Sequence, residues 1–220
     1  VNGEQKELRK PWWDQINEWK RAHPLTYEQD PQGPIKPQHA IKRLYELTKD
    51  RDPIVSTDVG QHQMWAAQYF TLAKPRRWLT SGGLGTMGFG FPAAMGAQAA
   101  FPTRLVLCIA GDGSVQMNTQ ELATAVVHKL PVKVFIINNQ YHGMVRQWQD
   151  LFYEGRYASS YLDVVPDFVK LAEAYGAVGL RATKVSEIDD VIREALTVEK
   201  PVVVDVPVDK YENCYPMIPA

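Results

Sequence analysis

Cysteine is scarce in this chain of 220 residues, with only Cys108 and Cys214 present. Two thiols cannot build the disulfide framework of a small secreted domain, and both are expected to be reduced. Charge of neither sign is in excess. Twenty-four Lys and Arg stand against 25 Asp and Glu, a formal net charge of −1, so there is no basic surplus to attract nucleic acid. No apolar run approaches the roughly 18 residues of a membrane span. The opening VNGEQKELRK has no apolar core of a secretory signal. A cytoplasmic location is expected, or an organellar one in a eukaryote, where a targeting segment would lie with any upstream domains. Repeats and low-complexity tracts are also missing.

What remains is the composition of a soluble globular domain, 45% hydrophobic and 22% charged. The length suits one α/β domain plus an N-terminal extension. Glu4 to Ala22 carries Trp12, Trp13, Ile16 and Trp19 among charges, which predicts an amphipathic helix joining a preceding domain. Residues 23–37 hold Pro24, Pro31, Pro34 and Pro37 and read as a linker. The expected division is therefore 1–36, helix and linker, and 37–220, the folded domain. Pro37 opens a second helix to about Thr48. Strands are predicted at Ile54 to Val59, Arg77 to Leu79, Leu105 to Ala110, Val132 to Ile137, Ala177 to Leu180 and Val202 to Val206, alternating with helices. The fold class that follows is α/β, a doubly wound, mostly parallel six-stranded sheet with helices on both faces.

The chemistry concentrates at two strand ends. Arg104 to Ala110 (RLVLCIA) is a buried-strand run that ends in Gly111-Asp112-Gly113-Ser114. Met117 to His128 has helical spacing, and a second apolar strand then ends in Asn138-Asn139. A right-handed βαβ unit brings both ends to the carboxyl edge of a parallel sheet, where such folds bind ligands. A carboxylate and an amide oxygen suit a hard divalent cation, Mg²⁺ or Ca²⁺, whereas Zn²⁺ would want thiolates or paired imidazoles that are not at suitable spacing. The cation would hold a diphosphate. Gly111 and Gly113 allow the backbone close to a phosphate, and the amides of Gly113 and Ser114 open a helix at its positive end.

Plainer readings exist for each residue. Asp112 alone could cap the following helix, and Asn139 could be a turn residue. Gly83 to Gly88 fits the G-x-G-x-x-G of dinucleotide-binding loops, but no acidic residue follows about 20 positions later to grip a ribose. Trp148 lies at helical spacing from Met144, as a core residue would. His62 and His142 have no partner that would make them metal ligands.

GDG followed about two dozen residues later by NN resembles the thiamine-diphosphate motif of thiamin-dependent enzymes. The segments GQHQMW (Gly60 to Trp65), GGLGTMGFGFPAAMG (Gly82 to Gly96) and NNQYHGMVRQWQ (Asn138 to Gln149) narrow the likeness to the catalytic subunit of acetohydroxyacid synthase, also called acetolactate synthase, from about Pro37 to the end. The resemblance implies Mg²⁺ ligands at Asp112, the Asn139 side chain and the Tyr141 backbone carbonyl. It implies diphosphate contacts from Val59, Gly60, Gln61 and His62, and aminopyrimidine contacts from Gly85 and Met87, with Met87 bending the cofactor. Met144 would line the cavity, and Trp148 would favour 2-ketobutyrate over pyruvate as second substrate.

It further implies condensation of two 2-ketoacids with loss of CO₂, in a homodimer or tetramer with a possible regulatory small subunit. No residue of this domain is expected to be catalytic. The acid–base glutamate would lie on a pyrimidine-binding domain of a neighbouring subunit, and FAD would sit mainly on a middle domain; neither domain is present. This chain would then be an excised, proteolytic or separately encoded piece, inactive by itself. A different thiamin-dependent decarboxylase or carboligase, and a non-catalytic cofactor-binding module, remain alternatives.

Overall fold

The computed structural model describes residues 3–217, so the last three residues of the expected domain lie outside the described residues. Fifteen regular elements follow in order: α1 (Gly3–Ala22), α2 (Pro37–Thr48), β1 (Ile54–Thr57), α3 (Gln61–Tyr69), β2 (Trp78–Leu79), α4 (Gly90–Ala100), β3 (Val106–Gly111), α5 (Asp112–Val115), α6 (Glu121–Val127), β4 (Lys133–Asn138), α7 (Gly143–Phe152), α8 (Phe168–Ala174), β5 (Val178–Arg181), α9 (Ile188–Thr197) and β6 (Val202–Pro207). The six strands form one sheet in the order β2-β1-β3-β4-β6-β5, and every pairing is parallel.

Strands buried on both faces need continuous apolar runs, and β3 and β4 are buried at every position. Their alternate residues feed two cores. Leu107, Ile109, Phe135 and Ile137 face α2, α3 and α9, through Ile41, Leu44, Trp65, Ile188 and Ile192. Val106, Cys108, Val134 and Ile136 face α4, α6 and α8, through Phe91, Met95, Leu122 and Phe168. Each such side chain contributes about 1.5–3 kcal/mol of apolar burial. Cys108 and Cys214 are both free and buried, and burial pushes each thiol up to about 12.

Two expectations need correcting. The helix expected from Met117 to His128 is broken: a short 3₁₀ turn covers Gln116–Asn118 and the α-helix begins only at Glu121. One cause is that Asn118 turns its side chain away to donate to the Gly88 carbonyl at 2.7 Å. The first strand stops at Thr57 because the Asp58 side chain turns back to accept from the Val59 amide, 3.0 Å. Residues 23–36 are largely irregular, yet Ile35 is buried in the core and its carbonyl accepts from the Asp209 amide at 2.8 Å.

The connections decide where a ligand can sit. From β1 the chain moves outward to β2, then crosses back to β3 on the other side of β1. Connections diverging from neighbouring strands leave a crevice beyond their carboxyl ends. The β1–α3 turn, the 80–90 loop, α5 and the β4–α7 turn surround it.

Candidate functional site

At the end of β1 the chain turns through Val59 and Gly60 into α3. Gly60 has φ +150°, and a Cβ there would meet His62 Cε1 at 2.9 Å, so glycine is required. His62 is buried with its Nε2 unpartnered. Burial pushes its pKa down to about 3, so the ring is neutral at physiological pH and offers dipoles rather than charge.

The 82–90 loop is fastened to β1 by Asp58. One carboxylate oxygen accepts from the Gly88 amide at 2.8 Å as well as from Val59; the other is buried without a partner, and burial raises the pKa of the group. Gly85 (φ +66°) and Gly88 (φ +89°) both take left-handed backbone that side chains resist. The turn carries Gly85 and Met87 to the crevice.

The β3 motif is self-braced. Ser114 Oγ accepts from the Gly111 amide at 3.1 Å and donates to the Gly111 carbonyl at 3.2 Å. Asp112 Oδ1 accepts from the Gly113 amide at 3.0 Å, while Oδ2 is buried with no partner. Burial pushes the Asp112 carboxyl up to about 7; the amides of Gly113 and Gln140 oppose this only in part. An anionic form would be stabilised by a cation at this position.

Register brings the second motif alongside. Gly111 pairs with Ile137, so Asp112 and Asn138-Asn139 leave adjacent strands together. Gln140 has φ +57°, a left-handed turn between Asn139 and Tyr141, and the Tyr141 amide donates to Asn139 Oδ1 at 3.2 Å. Asn138 turns away and donates to Asp205 at 3.0 Å. Among the described residues there is no group of three or more His, Cys, Asp or Glu that could hold a metal. A cation here must complete its shell with amide, carbonyl, phosphate or water oxygens, which suits Mg²⁺ better than a transition metal.

These segments enclose a cavity of about 420 Å³. Val59, Gly60, Gln61 and His62 line it from β1, Gly85 and Met87 from the 82–90 loop, Gly111, Asp112, Gly113 and Ser114 from β3, and Asn139, Tyr141 and Met144 from beyond β4. Trp148 lies outside it, on a second, more open cavity shared with Met144, Val145, Gln149, Tyr153 and Arg156. It is about two-fifths exposed and packs edge-on against Phe152 at 5.6 Å. It is not a core residue.

The cavity also takes in Trp65, Met117, Ile137, His142, Gly143 and Val145. Sequence reasoning missed these as lining residues and missed Asp58 as the anchor of the 82–90 loop. Strand and helix periodicity carries no signal for a turn that folds back.

A family model described as thiamine pyrophosphate enzyme, C-terminal TPP binding domain, matches residues 58–206. The chain belongs to this family. It is 52% identical over 94% of its length to the acetolactate synthase isozyme 3 large subunit of Escherichia coli, covering 36% of that protein. It is 50% identical over 96% of its length to the mitochondrial acetolactate synthase catalytic subunit of Saccharomyces cerevisiae, covering 31%, and 48% identical over 95% to an acetolactate synthase of Mycobacterium bovis, covering 34%. The chain thus spans about a third of the length of these relatives. Among the described residues no helix is long and apolar enough to cross a membrane.

Proposed function

We propose that this TPP-binding domain supplies the diphosphate and metal half of an acetolactate synthase active site, joining two 2-ketoacids with loss of CO₂ to give 2-acetolactate or 2-aceto-2-hydroxybutyrate in branched-chain amino acid biosynthesis. The observation that carries the reading is the meeting of a buried, unpartnered Asp112 oxygen and Asn139 at adjacent strand ends, inside a glycine-lined cavity. Hard oxygen donors and close-approach backbone are what a Mg²⁺–diphosphate pair requires.

Asp112, the Asn139 side-chain oxygen and the Tyr141 carbonyl would hold Mg²⁺. Val59 to His62, with Gly111, Gly113 and Ser114, would hold the diphosphate; Gly85 and Met87 would address the aminopyrimidine. Bound thiamine diphosphate supplies a nucleophilic carbon and an electron sink for decarboxylation. Met87 and Met144 would keep water from the reacting atoms, and Trp148 on the outer cavity would choose the second 2-ketoacid.

The remaining parts are proposed to lie elsewhere in a longer protein. A neighbouring subunit's pyrimidine-binding domain would provide the acid–base glutamate across a dimer interface, and FAD would sit on a middle domain. A regulatory small subunit is a possible further partner. Residues 1–36 would join the preceding domain to the cofactor domain at 37–220; Trp12, Trp13 and Trp19 on α1 are about half exposed, which suits that role. The location would be cytoplasmic, or organellar in a eukaryote.

Calorimetry with thiamine diphosphate and Mg²⁺ tests the proposal. Binding is expected to depend on the metal and to be weak for the domain alone. Absence of metal-dependent binding with the upstream domains supplied would sink it.

A further inference from the structure

Asn139 can serve a cation only if its oxygen, not its NH₂, is presented. The two ends of a primary amide have almost the same shape, so packing alone does not choose between them. The choice must come from hydrogen-bond partners whose own polarity is fixed.

A chain of such partners leads away from Asn139. Its Nδ2 donates to Gln61 Oε1 at 3.1 Å, and Gln61 Nε2 donates to Gln147 Oε1 at 2.7 Å. Gln147 is wholly buried and is clamped by the C-terminal segment: the Cys214 amide donates to its Oε1 at 2.8 Å, and its Nε2 donates to the Cys214 carbonyl at 2.8 Å and to Met217 Sδ at 3.0 Å. A backbone N–H can only donate and a backbone carbonyl can only accept. The Cys214 peptide groups therefore fix which end of Gln147 is oxygen, Gln147 fixes Gln61, and Gln61 fixes Asn139; the Glu212 carbonyl, accepting from Gln61 Nε2 at a longer 3.4 Å, acts in the same sense. At the far end the Tyr141 amide, also an obligate donor, meets Asn139 Oδ1 in the same sense. The chain crosses the start of α7 at Gly143, where a Cβ would overlap Gln61 Oε1 and lie 2.6 Å from Asn139 Nδ2.

We infer that Gln147, held by the Cys214 backbone, is a positioning residue that sets the amide polarity of Gln61 and Asn139 and so keeps the Asn139 oxygen available to the metal. The inference rests on the proposed ligand role of Asn139. Nothing in it requires Gln147 to touch the cofactor.

The test uses Mn²⁺ as an EPR probe, titrated into the chain joined to its upstream domains with saturating thiamine diphosphate, with Gln147→Met and Gln147→Glu made in the natural and Asn139→Asp backgrounds. Gln147→Met removes the polarity anchor and should weaken Mn²⁺ about tenfold, the scale of one lost charge-assisted contact. Gln147→Glu still presents an acceptor to Gln61, and as a neutral acid can donate to the Cys214 carbonyl. It should lower the melting temperature yet hold Mn²⁺ affinity within about twofold, since the accepting end of the relay is kept. With Asn139→Asp both ligand atoms are oxygen, and freeing Gln61 lets it turn and donate to the carboxylate; Gln147→Met should then leave affinity unchanged or raise it.

Equal losses for Gln147→Met in both backgrounds, or a tenfold loss in a folded Gln147→Glu, would overturn the inference while leaving the metal site standing. No metal-dependent binding by the natural protein with its upstream domains would count against the site itself. The relay is then judged by NMR: broadened Asn139 side-chain amide signals in Gln147→Met support it, and unchanged signals refute it.

Discussion

Asp112 shows how a single side chain joins stability to function. Its Oδ2 is buried without a partner, and its pKa is pushed from 3.8 up to about 7. A carboxyl raised in this way favours the folded state fully below its unfolded pKa, and that advantage is lost as pH rises through the folded value. Without metal, the Asp112 contribution to stability should therefore fall between about pH 4 and pH 7 by on the order of 4 kcal/mol at about 1.4 kcal/mol per pKa unit, against the opposite slope of His62, whose pKa burial pushes down to about 3 so that its contribution grows as pH rises. Asp112→Asn should remove the Asp112 contribution, so that urea melts followed across pH show stability rising more steeply from about pH 4 to pH 7 than in the natural chain; an identical pH dependence in the variant would place the titration elsewhere. Trp148 is the contrasting residue. Partly exposed, it should tolerate Trp148→Leu with about 1 kcal/mol or less of destabilisation, while the assembled enzyme shifts towards pyruvate as second substrate. An unaltered product ratio would remove Trp148 from the selector role.

Elements were legible where burial dictated composition. The runs around Leu107 and Phe135 place β3 and β4 within about a residue at each end, because a strand covered on both faces is built mainly from apolar residues. The 117–128 helix was misread because Asn118 bonds across the molecule to Gly88, a contact with no local signature. The roles of Asp58 and Gln147 were hidden for the same reason: a buried polar side chain is understood only with its partner, and theirs lie 30 and 67 positions away. By contrast, the segments that line the cavity were visible through the spacing of GDG and NN at two predicted strand ends and the flanking strings that resemble a known family. Two glycines of α4 separate packing from propensity. A Cβ on Gly90 would fall 2.6 Å from the Asp58 amide nitrogen, whereas one on Gly96 meets nothing within 4 Å. Gly90→Ala should cost roughly 2–4 kcal/mol by forcing α4 off β1. Gly96→Ala should gain about 0.5–1 kcal/mol from helix propensity. Equal effects in thermal melts would mean that the close approach of α4 to β1 is unimportant.

On the scale of the whole molecule, the sheet order creates the crevice, the turns around it supply donors, and the C-terminal segment locks their orientation from behind α7. On the proposed reading this is half a cofactor site, with the metal end within this chain and the acid–base group and the flavin on domains outside it. The account stands or falls on a calorimetric titration of thiamine diphosphate into the chain joined to its upstream domains, with and without Mg²⁺, beside the same protein carrying Asp112→Ala. The predicted result is saturable binding that requires Mg²⁺ and disappears in the variant. Binding that ignores both the metal and the substitution, or no binding at all, would contradict it.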